Sequence, residues 1–237
     1  MIKQAVILAA GKGSRMKKGA TDPILLNTPK PLLQVNGVPI IERIIKKLVD
    51  NGIDVAVVVH PDNREKFEEK LSAYSSHITY CLQEDRTGTA SALYAAKDFV
   101  TEDLFLVFMG DDITDYDISN IKQLDKPYVF GYNIEDVTGY GALVLGEGDE
   151  VVDVIEKKLT GPGVVNTGVY IMPKQFFAIY KDIPVDEKSG EYFLPYAVKL
   201  LRDSGIKFYL MTVDFWFGIN TPEQLLNANR GLKSDNG

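Results

Sequence analysis

Apolar runs of strand length alternate with helix-spaced patterns in the first half of the chain. The strand-length runs are residues 2–8, 55–59, 78–82 and 104–109. The segments between them predict helices over residues 39–49, 63–73 and 87–97. Such alternation is typical of a largely parallel sheet covered by helices.

From residue 128 onward the pattern changes to short strands separated by glycines. Strands are predicted over residues 128–130, 141–145, 151–155, 164–172 and 207–213. Helices are predicted over residues 174–180 and 190–203, and from residue 222 after a hydroxyl cap at Thr221. Because no repeat or linker interrupts the pattern, we expect one domain over residues 1–237, with residues 231–237 as a loose tail.

Composition and charge exclude several classes of protein. The net charge of −7 argues against general nucleic-acid binding, which requires an extended basic surface. Cys81 is the only cysteine, which excludes an intramolecular disulfide and a cysteine-based zinc site. No apolar run reaches transmembrane length and the N-terminus lacks the layout of a signal peptide. We therefore expect a cytoplasmic enzyme or binding protein with no membrane partner.

The first strand runs into a glycine-rich loop, Ala10-Gly-Lys-Gly13, followed by Arg15 and then by Lys30. Glycines let backbone N–H groups approach a ligand closely, and the two cationic side chains suit a polyphosphate. Residues 1–30 hold six basic side chains and one acidic one, within an acidic protein. This local basic island favours an anion site over the alternative of a plain glycine turn.

Two well-known phosphate loops do not fit this segment. A dinucleotide-binding fingerprint requires glycine at its sixth position, where this chain has Met16. Neither Gly11 nor Gly13 begins the spacing of a Walker loop.

Further polar side chains follow the predicted strands, where ligands of such sheets collect. Asp111 and Asp112 follow the most apolar strand, and carboxylates are ligands that Mg²⁺ prefers. Gln83 follows the third strand, while Glu156 and Asn166 lie within the strand-rich second half. Each of these residues alone is also compatible with an ordinary turn or surface position.

Together, the motifs occur in one order that is similar to a known family. They are LAAGKGSRM, PKPLL, QEDRTGTASAL, VFMGDD, TGYGALV, VIEKK, VNTGVYIM, GEYFLPYAV and FGINTPEQLLNA. From residue 2 to about residue 228 the chain resembles the sugar-1-phosphate nucleotidylyltransferases. Within that family it is most similar to the uridylyltransferase domain of the N-acetylglucosamine-1-phosphate uridyltransferases.

The resemblance implies a nucleotide-diphospho-sugar transferase fold, which is a Rossmann-like three-layer α/β/α sandwich with a mixed, mainly parallel sheet. It implies a Mg²⁺-dependent reaction of a nucleoside triphosphate with a sugar 1-phosphate, giving an NDP-sugar and pyrophosphate. UTP with N-acetylglucosamine 1-phosphate or glucose 1-phosphate is the expected pair. Relatives that use dTTP, CTP or GTP, including phosphocholine cytidylyltransferases, stay open, as does a non-catalytic regulatory module. A homo-oligomer also stays open.

Site residues follow from the resemblance position by position. The implied catalytic residues are Arg15, Lys30 and Asp111. The implied nucleotide-binding residues are Ala10, Gly11, Gly13, Gln83, Gly88 and Thr89. The implied sugar-binding residues are Gly141, Glu156 and Asn166. The implied Mg²⁺ ligands are Asp111 and Asn220.

The implied chemistry agrees with these residue types, because a sugar phosphate is already a nucleophile and the reaction requires charge neutralisation rather than a general base. The chain differs from its relatives in a longer segment over residues 16–29, which is a candidate lid. Residues 215–217 are expected to pack beneath the last helix. No acetyltransferase repeat follows residue 228, so a second activity is not expected.

Overall fold

The computed structural model describes residues 1–84 and 87–231. Its strands are β1 (Gln4–Leu8), β2 (Gln34–Val35), β3 (Val38–Pro39), β4 (Asp54–Val59), β5 (Ile78–Leu82), β6 (Leu104–Met109), β7 (Asp112–Thr114), β8 (Tyr128–Ile134), β9 (Gly141–Leu145), β10 (Glu150–Glu156), β11 (Gly163–Pro173), β12 (Phe208–Thr212) and β13 (Trp216–Gly218). Its α-helices are α1 (Ser14–Lys17), α2 (Pro23–Asn27), α3 (Ile40–Asp50), α4 (Arg64–Lys70), α5 (Thr89–Tyr94), α6 (Ile118–Ile121), α7 (Phe176–Ile179), α8 (Pro195–Asp203) and α9 (Pro222–Gly231).

Within these residues, nine strands form one mixed sheet in the order β5-β4-β1-β6-β11-β8-β12-β10-β9. The four strands β5, β4, β1 and β6 are parallel, as expected for strands joined through helices. Next to β6 the direction reverses, because β11 pairs antiparallel with both β6 and β8. The predicted mixed sheet is confirmed, and its continuous parallel part is built from the first half of the chain.

Helices cover both faces of this sheet, which explains why its inner strands are apolar throughout. Along β6, Phe105 and Val107 face one layer while Leu106 and Phe108 face the other, as strand geometry requires. The first layer contains α5, α7 and α8, and the second contains α3, α4 and α6. The predicted three-layer α/β/α sandwich is confirmed.

Several predicted helices are shorter than their patterns indicated. The helix predicted over residues 190–203 begins only at Pro195, and the helix predicted over residues 87–97 is α5 alone. The polar helix predicted over residues 63–73 ends at Lys70, with a 3-10 turn over Ser72–Tyr74. Residues 190–194 stay outside α8, and the backbone of Tyr192 instead bonds to Thr87 and to Ala90 at the start of α5.

Four short strands lie outside the main sheet. β2 and β3 form a hairpin whose two-residue turn, Asn36-Gly37, has positive φ at both positions, the geometry that Asn-Gly favours. β7 and β13 form a second pair, which places Asp112 opposite Gly218. The sequence interpretation overlooked both pairs.

The prediction for residues 215–217 is right for Phe217 and wrong for Trp216. Phe217 packs in the small core beneath α9 with Leu225. The Trp216 ring instead contacts Tyr132 and Tyr140 at the far side of β13, because neighbouring strand residues face opposite ways.

The predicted loose tail over residues 231–237 lies outside the described residues, except for Gly231 at the end of α9. Over the residues that are described, no helix has both the length and the apolar character needed to cross a bilayer.

Packing in the strand-rich half predicts a stability effect at Gly131 in β8. A Cβ atom there would lie 2.5 Å from Val164 Cγ1 and 2.8 Å from Leu210 Cδ1. We expect Gly131→Ala to lower the free energy of unfolding by roughly 1–3 kcal/mol, because overpacking forces neighbouring side chains to move. Urea unfolding measures the change. The matched control is Gly231→Ala, where the added Cβ atom meets nothing within 4 Å; equal effects of the two substitutions would contradict the packing argument.

Candidate active site

A cleft of about 330 Å³ opens at the carboxyl ends of β1 and β6. These two strands are adjacent and parallel, so the loops that leave them meet at the same edge of the sheet. The residues lining it are Leu8, Ala9, Ala10, Gly11, Lys12, Gly13, Ser14, Arg15, Met16, Lys30, Pro31, Gln83, Gly88, Thr89, Ala92, Met109, Asp111, Glu191, Phe193 and Asn220. Every residue predicted for catalysis, nucleotide binding or metal binding is in this set.

The glycine loop is fixed at its far end by a buried side chain. Gly13 has a φ of +64°, which lets the chain turn into α1, and Met16 on α1 is buried against the small core beneath α9. The loop itself stays open, since a Cβ atom at Gly11 would meet nothing within 4 Å. An anchored loop with free space above its backbone can accept a ligand at close range.

Lys30 bridges the two predicted metal ligands. Its ammonium group donates to Asp111 Oδ2 at 2.5 Å and to Asn220 Oδ1 at 3.2 Å, and the lysine side chain is only 8% exposed. Asp111 lies 81 positions from Lys30 and Asn220 lies 190 positions away. Three remote segments therefore converge on one cation.

Local structure positions each of these three groups. Lys30 opens a 3-10 turn whose Pro31 and Leu32 are buried, so its stem is held against the core. Gly110 lets the chain before Asp111 pack closely against the neighbouring strand. A Cβ atom at Gly110 would lie only 3.2 Å from the carbonyl oxygen of Leu8. Asn220 stands just before α9, where Gln224 accepts the Asn220 N–H at 2.7 Å.

The donor set fits a magnesium ion shared with a substrate. One carboxylate and one amide oxygen already face a single positive charge, and both are the hard ligands that Mg²⁺ prefers. The part of the chain that the structure describes has no group of three or more His, Cys, Asp or Glu side chains able to hold a metal. Substrate phosphates and water would therefore supply the remaining ligands.

The predicted base-binding residues form a second wall of the cleft. Gln83 is buried, and its amide donates to the carbonyl oxygen of Gly88 at 3.1 Å. The hydroxyl of Thr89 accepts the N–H of Leu194 at 2.9 Å. These bonds hold the turn in place and leave the amide oxygen of Gln83 for a ligand.

The segment over residues 190–194, which precedes α8, clamps this turn through its backbone. Tyr192 donates its N–H to Thr87 at 2.7 Å and accepts the N–H of Ala90 at 2.9 Å. Glu191 and Phe193 line the cleft as a result, although the sequence interpretation gave them no role. The signal for them was the GEYF segment, which was used only for the family resemblance.

The three predicted sugar-binding residues lie together, beside the cleft rather than in its lining. Gly141 pairs with Glu156 across β9 and β10, and a Cβ atom at Gly141 would lie 2.6 Å from Glu156 Oε1. Asn166 lies on β11, whose Val165 pairs with Ala142 of β9. Burial raises the pKa of Glu156, and the positive charges of Lys157 and of Arg15 in the cleft oppose that rise. Arg15 thus lines the cleft and also acts electrostatically on Glu156, one of the predicted sugar-binding residues.

Asp112 differs from its neighbour Asp111 in its surroundings. Its carboxylate accepts the indole N–H of Trp216 at 3.3 Å, and it lines a separate cavity of about 840 Å³ between α3 and β7. Burial and the charge of Asp111 raise the pKa of Asp112 to about 7. Asp112 therefore contacts Trp216 and the second cavity, whereas Asp111 lines the cleft.

Of the segment over residues 16–29, only Met16 lines the cleft. Asp22 caps α2 by accepting the N–H of Ile24, and Leu25 packs against the small core beneath α9. Lys66 also donates to the carbonyl oxygen of Asn27 at 2.9 Å. The candidate lid is thus anchored by contacts of its own, and Lys30 reaches Asp111 despite the longer connection.

The fold and the cleft define an α/β protein in which a glycine loop and two cationic side chains, Arg15 and Lys30, line a cleft at the carboxyl edge of the sheet. The chain belongs to the nucleotidyl transferase family, whose model matches residues 4–235. This match and the confirmed fold agree with the resemblance seen in the sequence.

Sequence matches to individual relatives extend over most of this chain. It is 31% identical over 229 residues to the bifunctional protein GlmU of Methanococcus maripaludis (strain C5 / ATCC BAA-1333), a match that covers 95% of this chain and 53% of that protein. It is 30% identical over 246 residues to the UTP–glucose-1-phosphate uridylyltransferase AglF of Haloferax volcanii, covering 98% of this chain and 97% of that one. The chain therefore spans about half the length of the GlmU proteins and nearly all of AglF.

A solved structure supports the fold independently of close sequence similarity. The inositol-1-phosphate CTP transferase from T. maritima superposes with a TM-score of 0.77 at 17% identity, covering 98% of both chains.

The contact of residues 190–194 with the predicted base-binding turn leads us to expect a loss of nucleotide binding in Gly88→Ala. Gly88 has a φ of +107°, and a Cβ atom there would lie 2.6 Å from the Tyr192 carbonyl oxygen and 2.9 Å from its nitrogen. Because these are backbone atoms, relief of the clash requires the clamp to open. We expect nucleotide affinity measured by calorimetry to fall at least about tenfold.

The control for this prediction is Gly205→Ala, since Gly205 has a similar φ of +97° but a Cβ atom there would meet nothing within 4 Å. It separates backbone strain from the clash with Tyr192. Unchanged nucleotide affinity in Gly88→Ala would contradict the role of the clamp.

The position of Lys30 predicts competition between its ammonium group and a divalent cation. Without nucleotide, Lys30→Met should raise the affinity for Mn²⁺ by roughly tenfold, because it frees the oxygens of Asp111 and Asn220. Electron paramagnetic resonance of free Mn²⁺ measures this affinity. Lys46→Met, which removes the lysine of the exposed Lys46–Asp50 pair, should leave it unchanged. Weaker Mn²⁺ binding in Lys30→Met would show that these oxygens do not form the metal site.

Proposed function

We propose that this chain transfers a nucleotidyl group from a nucleoside triphosphate to a sugar 1-phosphate, giving an NDP-sugar and pyrophosphate. The convergence of Lys30, Asp111 and Asn220 beside the glycine loop is the observation that carries this proposal. Such a cleft provides cationic groups, open backbone and hard oxygen ligands within one small volume.

The reaction brings two anions together, and the cleft meets that requirement by charge. An oxygen of the sugar phosphate attacks the α-phosphorus, the new P–O bond forms, and the bond to the β-phosphate bridging oxygen breaks to release pyrophosphate. Arg15 and Lys30 offset the charge that accumulates on the phosphates. A Mg²⁺ ion bound by Asp111 and Asn220 would add to this charge neutralisation.

The proposed reaction requires the Lys30 ammonium group to exchange one partner, Asp111, for another, the phosphate oxygens of the substrate. In the substrate-free protein the buried ammonium group of Lys30 is paired with the partly exposed carboxylate of Asp111. When triphosphate and metal arrive, the phosphate oxygens offer the lysine an equivalent partner. The lysine is therefore positioned in advance, and its release costs little because one charge-assisted contact replaces another.

The expected substrates are UTP with N-acetylglucosamine 1-phosphate or glucose 1-phosphate. The GlmU and AglF relatives support this choice, and the amide of Gln83 can form hydrogen bonds to a base edge. Relatives that use dTTP, CTP or GTP have the same cleft chemistry and are the alternatives. A non-catalytic nucleotide-binding module is disfavoured, because it has no need for a lysine that contacts both Asp111 and Asn220.

We further propose that the chain acts as one nucleotidyltransferase domain in the cytoplasm, where nucleoside triphosphates and sugar phosphates are available. The sugar moiety would bind beside the cleft at Gly141, Glu156 and Asn166. Their convergence at neighbouring strands supports this assignment.

Pyrophosphate release across a grid of donors and acceptors tests the proposed function. UTP, dTTP, CTP, GTP and ATP are each paired with glucose 1-phosphate, N-acetylglucosamine 1-phosphate, mannose 1-phosphate and phosphocholine. We expect one strongly active pair, with UTP as donor, whose activity a chelator abolishes and Mg²⁺ restores. In that pair Asp111→Asn should lower kcat by at least about a hundredfold, because the carboxylate charge at the metal is lost. Lys46→Met serves as the matched surface control.

A grid with no active pair, together with measurable nucleotide binding, would contradict the transferase proposal and favour the regulatory module. Full activity of Asp111→Asn would contradict the assigned metal site alone.

A further inference from the structure

The side chain of Asn166 is held at both ends by hydrogen bonds. Its Oδ1 accepts the N–H of Gly168 at 2.9 Å, and its Nδ2 donates to the hydroxyl oxygen of Tyr170 at 2.5 Å. Because a backbone N–H can only donate, the amide orientation is fixed, and Tyr170 must be the acceptor. One N–H and one lone pair of the Asn166 amide are left for other partners.

Tyr170 is a fully buried residue at the centre of the sheet. It pairs with Val107 of β6 on one side and with Val129 of β8 on the other. Burial raises the pKa of Tyr170, the hydrogen bond from Asn166 opposes that rise, and the charge of Glu156 adds to it. The phenol therefore stays neutral and lies within electrostatic reach of another residue assigned to the sugar.

The backbone between these two residues is irregular. The register of β11 against β8 shifts between Asn166 and Tyr170, and Gly168 has a φ of +77°. A Cβ atom at Gly168 would lie 2.4 Å from Cγ of Met109, a residue that lines the cleft two positions before Asp111. Irregularities of this kind re-aim side chains next to active sites. Here the irregular backbone two residues after Asn166 packs against Met109, at the end of the strand β6 that precedes Asp111.

We propose that Tyr170 is a positioning residue that sets the orientation of Asn166 toward the sugar moiety of the acceptor. The proposal rests on the function proposed above. A sugar hydroxyl both donates and accepts a hydrogen bond, and the remaining N–H and lone pair of Asn166 match that pair of requirements. Tyr170 touches no substrate and acts only through the amide.

The test is a double-mutant cycle of Tyr170→Phe and Asn166→Ala, assayed with the active substrate pair. Tyr170→Phe should raise the KM for the sugar phosphate roughly tenfold and leave the KM for the nucleotide and kcat within about twofold. Asn166→Ala should raise the same KM at least as much. Adding Tyr170→Phe to Asn166→Ala should have no further effect, because the hydroxyl then has no amide to hold.

Tyr116→Phe is the matched control. Its hydroxyl contacts Thr167 at 3.3 Å, so it also removes a buried tyrosine hydroxyl next to Asn166, but from the opposite face of the sheet. It should leave the KM for the sugar phosphate unchanged. Additive effects in the cycle, a sugar-phosphate KM within about twofold of wild type in Tyr170→Phe, or an equal rise in both KM values would overturn the proposal.

Crystal structures of the wild type and Tyr170→Phe test the same proposal without turnover. We expect the Asn166 amide to change orientation in the variant while the surrounding sheet stays in place. An inactive wild type would refute the proposed function, and these structures would then decide the role of Tyr170. An amide that keeps its orientation in Tyr170→Phe would overturn the proposal in either case.

Discussion

The rest of the candidate site depends on one ion pair, between Lys30 and Asp111, with Asn220 as a third partner. It joins a 3-10 turn, the end of the strand β6 and the start of the helix α9, which are remote in sequence. A buried ammonium group without a partner would be destabilising, so Lys30 requires the carboxylate of Asp111 in the free protein. Both charges are then present at the edge of the cleft, ready to be shared with phosphates and a metal ion.

The sheet makes this convergence possible and adds a second group of residues beside it. The parallel strands from the first half of the chain bring the glycine loop and Asp111 to one edge. The antiparallel strand β11 then inserts next to β6, so that Asn166 from the second half reaches the same edge. Glu156 and Gly141 follow on neighbouring strands, and the charge of Arg15 acts between the two groups. The proposed sugar region thus comes from the second half of the chain, and the nucleotide region comes mainly from the first half, with Asn220 added from the second.

Much of the fold was predictable because the strongest sequence patterns come from buried elements. The runs in β1, β4 and β6 are apolar since helices cover both faces, and the helical spacing in α3 marks one buried stripe. The loop glycines and Asp111 were predictable for a related reason, since they follow such strands directly. Asn220 required the family resemblance, and no local pattern indicated that Lys30 would contact it.

The remaining features depend on contacts that the sequence does not display locally. Residues 190–194 were predicted as part of a helix, yet they stay outside α8 because Tyr192 bonds to Thr87 and Ala90 across about a hundred positions. Trp216 faces Asp112 only because β13 pairs with the short strand β7. The sequence around Tyr170 is that of an ordinary buried aromatic residue in a β-strand. Its hydroxyl contacts Asn166 where the backbone of β11 is irregular, at Gly168.

The most direct test of the central claim is a crystal structure with Mn²⁺ and a non-hydrolysable nucleoside triphosphate analogue, in which anomalous scattering locates the metal. The account predicts a manganese peak bound by Asp111 and Asn220, with the Lys30 ammonium group moved onto the phosphate oxygens. A structure in which Lys30 still bridges Asp111 and Asn220 while the metal and the triphosphate bind elsewhere would contradict it.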